Sequence, residues 1–172
     1  NSHAQKNKNK PQETVLGEEE TTEVDSTNTE KTITEEKEEV CQINDKKALE
    51  LYDLAIKDFR SGKSTDAKTK IAQALEREPN FAKAYVLLGE IDYKSNPKSS
   101  LENYEKSLQI CSNTDAMLLY KIAKIYYSQK EYVKSKEKFT SFLDAGSNKP
   151  DFIKEADSLI IVCDFYDKIL NH

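Results

Sequence analysis

The side chains equipped for catalysis are few, and none is placed to perform it. Two histidines are present, His3 in a polar N-terminal stretch and His172 at the last residue. A general base must be held within hydrogen-bond reach of the proton it takes, and no packed element holds either imidazole. The four glycines, Gly17, Gly62, Gly89 and Gly146, are too scattered to form a phosphate-cradling loop. Acidic runs such as Glu18-Glu19-Glu20 and Glu38-Glu39 read as solvated charge, not as paired catalytic carboxylates. Cys41, Cys111 and Cys163 lack zinc-ligand spacing. They allow one disulfide and one free thiol, or an intermolecular pair, and the pairing stays open. Such a residue set points to a protein that is not an enzyme and needs no cofactor, metal or small-molecule substrate.

Charge and hydropathy narrow the partners. The formal net charge is −5 and the lysines are scattered among acids, which argues against nucleic acid. No apolar run approaches the roughly 18 residues of a membrane span, so no transmembrane segment is expected. Residues 1–45 hold 12 Asp and Glu against 5 Lys, and are rich in Thr, Asn, Gln and Ser. A segment so poor in apolar surface cannot offset its ordering entropy, which predicts a tail that is disordered or ordered only on a partner. Val40, Cys41 and Ile43 form the apolar cluster at its end, suited to docking against the first helix.

The elements that must position any binding side chain come from an internal repeat. Leu54, Leu88 and Ile122 recur at a pitch of 34, as do Ala55, Gly89 and Ala123, and Phe59, Tyr93 and Tyr127. A second set, Ala67/Ser100/Ser135, Ile71/Tyr104/Phe139 and Leu75/Leu108/Leu143, recurs at 33 and then 35. Two apolar stripes at helical spacing joined by a short polar turn make a helix-turn-helix unit, repeated three times. Small residues at Ala55/Ala67 and Gly89/Ser100 let the two helices of a unit approach closely. Beyond them Phe152, Ala156, Leu159, Cys163, Tyr166 and Leu170 fall on one face of a last helix. Such a helix covers the apolar side of a terminal repeat. Cys111 closes the second helix of the middle unit and Cys163 lies on the apolar face of the last helix, where a buried free thiol behaves as a small hydrophobe, with Cys41 expected to be more exposed.

Over residues 48 to about 146 these columns resemble the tetratricopeptide repeat. Leu51, Leu54, Ala55, Gly62, Ala67, Ile71, Ala74 and Pro79 carry the likeness in the first unit. Tyr85, Leu88, Gly89, Ser100, Tyr104 and Ser107 carry it in the second, and Leu119, Ile122, Ala123, Tyr126, Ser135 and Phe139 in the third. No unit has the family's Trp, the second lacks its closing Pro, and Phe142 stands where a small residue is usual, which predicts less regular packing of the third unit. The resemblance implies an all-α, right-handed superhelical solenoid of three repeats, about 48–81, 82–114 and 115–149, plus a C-terminal capping helix at 150–171. The domain spans 46–172 and the tail 1–45.

In that family the first helix of each unit lines a concave, partner-binding groove. The matching positions are Leu49, Tyr52, Ile56, Phe59 and Arg60, then Lys83, Val86, Glu90, Tyr93 and Lys94, then Met117, Tyr120, Lys124, Tyr127 and Ser128. Of these, Tyr52, Phe59, Arg60, Lys83, Tyr93, Lys94, Tyr120, Lys124 and Tyr127 are the expected contacts, since aromatic residues and Arg are enriched where proteins bind proteins. Phe59, Tyr93 and Tyr127 equally suit packing within the solenoid. Cytosolic co-chaperone members clamp a terminal carboxylate with Asn and Lys or Arg. The Asn positions here hold Ile56, Glu90 and Lys124, and Glu90 would repel an acidic peptide.

Phe139-Thr140-Ser141-Phe142-Leu143, Pro150, Ala156, Cys163 and Phe165 resemble the repeat module of certain Bacteroidetes envelope proteins, in which a β-propeller and an OmpA-like domain follow and some members serve type IX secretion. That likeness implies a periplasmic adaptor bound to subunits of an outer-membrane assembly, with a cytosolic peptide-binding module as the alternative. The chain opens on Asn1 with no hydrophobic leader, a pattern that a processed exported protein shares with an internal fragment.

Overall fold

The structure is a computed structural model that describes residues 41–112 and 115–170. The disordered-tail reading and Val40 therefore lie outside the described residues, as do both histidines. Seven helices and no strand occur among the described residues: α1 Lys46–Arg60, α2 Ser64–Arg77, α3 Ala82–Asp92, α4 Pro97–Ile110, α5 Ala116–Ser128, α6 Tyr132–Asp144 and α7 Pro150–Leu170. No helix among them is long and apolar enough to cross a membrane.

The helix starts follow from local chemistry. Asp45 caps α1 by accepting from the Ala48 N–H at 2.8 Å, Asn96 caps α4 from the Ser99 N–H at 3.2 Å ahead of Pro97, and Asp115 caps α5 from the Met117 N–H at 3.0 Å. Each side chain satisfies a donor the helix leaves orphaned. The one-residue change in repeat length has a backbone cause. Gly62 and Lys130, at matching positions of the first and third turns, adopt left-handed φ values of 78° and 63°. In the middle unit the stretch from Gly89 to Ser100 is one residue shorter than its equivalents, and the chain enters α4 through the Asn96 cap at φ −146°.

Within each hairpin the small columns set the approach. Ala55 and Ala67 are fully buried, Ser100 Oγ donates to the Gly89 carbonyl at 2.8 Å, and Ser135 Oγ donates to the Ala123 carbonyl at 3.0 Å. At Gly89 a Cβ would fall 2.3 Å from Tyr104 Cε1, so only glycine permits the observed crossing. Successive hairpins stack into an all-helical repeat solenoid. Ile71 and Ala74 of α2 meet Ala84 and Leu87 of α3, and Leu101 and Tyr104 of α4 meet Leu118 and Ile122 of α5. Stacking explains the fate of the leading column: Ile122, lying on α4, is 0% exposed, whereas Leu54, with no preceding helix among the described residues, is 46% exposed.

The third unit packs more fully than its Phe142 suggested. Phe142 and Phe139 are completely buried with Ala156 of α7, and Tyr120 meets their rings edge-on. The inward face of α7 holds at Phe152, Ala156, Leu159 and Cys163, then fails: Tyr166 and Leu170 are 39% and 66% exposed. α7 has 21 residues against 13 in α6, and its C-terminal part leaves the core cluster, with the Tyr166 ring stacked on Tyr132 of α6 at 4.7 Å. Ile161, Phe165 and Ile169 are exposed as well, so this helix covers α6 while leaving an apolar surface of its own.

Of the cysteine pairings that the sequence allows, the structure holds one disulfide and one free thiol: Cys41 is joined to Cys111, with Cys111 buried and Cys41 half-buried. Residues 41–45 form a strap beside the first hairpin, tied by that bond, by Ile43 packed on the first core cluster, and by the Asp45 carboxylate, which accepts two bonds from Arg77. Cys163 is buried and free, its thiol pKa pushed up chiefly by burial.

Candidate functional site

The nine expected contact residues lie on α1, α3 and α5 or just past the C-terminal end of α3, and the structure divides them into three groups. Tyr52, Lys83 and the strap belong to one end. Tyr52 is half-buried with its ring 4.9 Å from Phe81, and burial, assisted by Asp53, raises its hydroxyl pKa. Lys83 is exposed and meets no acid among the described residues. Both border a cavity of about 470 Å³ with Ile43, Asn44 and Asp53, and a second of about 400 Å³ with Val86, Ser107 and Leu118. Cys41 stands on the wall of each.

The middle of the groove is an ionic ladder that the sequence reading did not contain. Glu90 accepts from Tyr104 Oη at 2.8 Å and from Lys121 Nζ at 2.5 Å, while Lys124 Nζ reaches Glu155 Oε1 at 2.6 Å. The two lysine pairs have the same sequence separation, 31, and the second uses the columns of the first one repeat further on with the charges exchanged, Lys124 in the column of Glu90 and Glu155 in that of Lys121. Lys121 and Glu155 are one 34-residue pitch apart, which puts α7 in the register of a fourth unit's first helix; that shared offset was the available signal. The Lys124 ammonium and the Tyr120 hydroxyl together hold the Glu155 carboxyl below its ordinary value. Tyr93, the C-cap residue of α3, sits by this ladder with its ring 6.4 Å from Tyr104, and its pKa is raised, mainly by burial. Glu90 is thus not a free charge facing an incoming peptide, and Lys124 is a paired cation.

Tyr120 is a core side chain. It is 6% exposed, its ring lies 5.0 to 5.6 Å from Phe152, Phe142 and Phe139, and burial followed by Glu155 raises its pKa. Its position on the first helix matched the groove, but the large rings at Phe142 and Phe152 close over it. Phe59 packs partly buried on the first core cluster and Tyr127 stands edge-on to Tyr132 at 5.9 Å, both within the solenoid. Arg60 and Lys94 are exposed, without an acidic partner among the described residues. Of the nine, Arg60, Lys83 and Lys94 are exposed with no acid beside them among the described residues, while Tyr52, Phe59, Tyr93 and Tyr127 are half-buried, each against a neighbouring ring or core cluster. Among the described residues no group of His, Cys, Asp and Glu is arranged to hold a metal.

No protein-family model matches the chain, and no curated protein matches it. Among solved structures, the Yersinia enterocolitica type III secretion chaperone SycD, in complex with a peptide of the translocator YopD, is similar with a TM-score of 0.60 at 15% identity. The likeness covers 73% of this chain and 98% of that one. At this identity the match defines the class of fold, a tetratricopeptide-like helical solenoid, in agreement with the repeat columns.

Proposed function

We propose that this chain is a non-catalytic adaptor or scaffold that captures an extended segment of a partner protein along α1, α3 and α5, within an extracytoplasmic envelope assembly. The observation that carries the reading is a set of exposed cations without acidic partners among the described residues, Arg60, Lys83 and Lys94, with Lys83 and half-buried Tyr52 bordering two cavities. A peptide seated on the similar secretion chaperone supports capture of a polypeptide by such a fold.

The Cys41–Cys111 disulfide supports the extracytoplasmic setting, because such bonds persist in oxidising compartments and are rare where thiols are kept reduced. The ladder weighs against the cytosolic carboxylate-binding alternative. Lys121 and Lys124, the lysines of α5, are already held by Glu90 and Glu155. The resemblance of the last repeat and α7 to Bacteroidetes envelope modules makes outer-membrane complex subunits the proposed partners.

Pull-down from the native envelope fraction with wild type and a folded Lys83→Glu/Lys94→Glu variant tests the groove. Loss of the captured proteins is expected, and full retention overturns the reading. Alkylation of the protein freshly isolated from cells tests the compartment. Cys41 and Cys111 should be blocked until reduction, and immediate labelling of both would place the chain in a reducing compartment.

A further inference from the structure

The repeat allows the chain to be compared with itself at three equivalent places, and one of them is unfilled. Tyr52, Val86 and Tyr120 share a column on the first helices; Ala74, Ser107 and Phe142 share one on the second helices. In the third unit Tyr120 and Phe142 pack ring to ring at 5.3 Å and close the space between helices. In the first, Tyr52 turns onto Phe81 at 4.9 Å. In the second, both large residues are replaced by small ones, and a cavity of about 400 Å³ lies beside Val86, Ser107 and Leu118, with Cys41 and Cys111 on its wall and Lys83 at its border. Ser107 Oγ is fully buried and is the buried side-chain polar atom with no hydrogen-bond partner among the described residues. The other fully buried serines, Ser100 and Ser135, which belong to a different column, each bond a carbonyl across the hairpin.

We propose that this cavity is an anchor subsite for one tyrosine side chain of the partner segment. The neighbouring repeat shows what volume is missing, since an aromatic ring occupies the matching space there. A buried hydroxyl left without a partner costs free energy until something bonds it, and a phenolic oxygen at the end of the ring supplies an acceptor to Ser107. Val86, Leu118, Tyr52 and the disulfide give the ring apolar walls, and Lys83 at the rim offers its ammonium to a peptide carbonyl. The proposal rests on the groove reading only in drawing its guest from a partner protein.

The probe is N-acetyl-tyrosinamide, titrated into the oxidised full chain with backbone amide shifts as the readout and N-acetyl-phenylalaninamide as comparison. Shifts should concentrate at Val86, Ser107, Cys111 and Leu118, with the tyrosine amide bound about two- to tenfold more tightly, the range of one net hydrogen bond. Ser107→Ala should bring the two amides level. Ser107→Phe, which reproduces Phe142, should abolish both titrations, as should Val86→Tyr, which reproduces Tyr52 and Tyr120, if the first variant fails to fold. Absence of shifts at these residues up to the solubility limit overturns the proposal, as does unchanged binding by a folded filled variant. Concentrated shifts in a protein that captures no envelope partner would support the subsite and overturn the groove reading alone.

Discussion

Replacing Gly89 by alanine places a methyl carbon 2.3 Å from Cε1 and 2.4 Å from Cδ1 of Tyr104. Carbon atoms pack best at about 3.5–4.0 Å, so the ring must retreat by roughly 1 Å or the helices must part. Neither is easy. Tyr104 is 0% exposed, shares its cluster with Leu101, Leu118 and Ile122, and donates its hydroxyl to Glu90 at 2.8 Å. Overpacking of this kind costs about 1–3 kcal/mol, and losing the bond to a carboxylate adds roughly 1.5 kcal/mol or more. The better helix propensity of alanine returns about 1 kcal/mol. The expected net destabilisation is therefore about 1.5–3.5 kcal/mol for Gly89→Ala, and at least about 2 kcal/mol for Gly89→Leu. For a domain of this size that lowers the thermal midpoint by roughly 6–14 °C, followed by far-ultraviolet circular dichroism. A Gly89→Ala/Tyr104→Leu double variant should recover part of the loss, because the clash then has no ring to meet. A Gly89→Ala midpoint equal to or above wild type would refute the claim that close approach fixes this glycine.

Two further outcomes separate paired groups from unpaired ones. Ser135→Ala should destabilise by about 1 kcal/mol through loss of its buried bond to the Ala123 carbonyl, whereas Ser107→Ala, which removes an unpartnered hydroxyl, should be neutral or stabilising in urea unfolding. The Glu155 carboxyl has a folded-state pKa below its ordinary 4.5, so its contribution is present above that value and is lost as pH falls through the lower folded one; Glu155→Gln should flatten the acid limb of the stability curve and leave an equal slope only if the ladder contributes nothing.

The fold was legible because the columns that build it are spaced by the repeat itself. Ala55, Gly89, Ile122 and Phe139 have their environments set by hairpin geometry, which periodicity encodes. The site was less legible, since a groove position says where a side chain starts and not what closes over it. Tyr120 left the surface because Phe142 and Phe152, on two other helices, surround it. Lys124 lost its free charge to Glu155, which lies on α7, 31 residues further along the chain. The disulfide was out of reach for the same reason: 70 residues separate its cysteines, and only the stacked hairpins bring their Cα atoms to 5.4 Å.

That bond also reroutes mechanical load. A pull on residues ahead of Cys41 enters the solenoid through sulfur at Cys111, the junction of α4 and α5, and bypasses the first two hairpins. The 70-residue span inside the loop amounts to roughly 230–250 Å of chain that tension cannot pay out while the bond is intact. In an assembly subject to traction, the oxidised chain would act as a short, stiff link between its N-terminal attachment and its third repeat. Reduction would turn the same link into a long, extensible one, a difference that a single-molecule force trace reads directly as contour length.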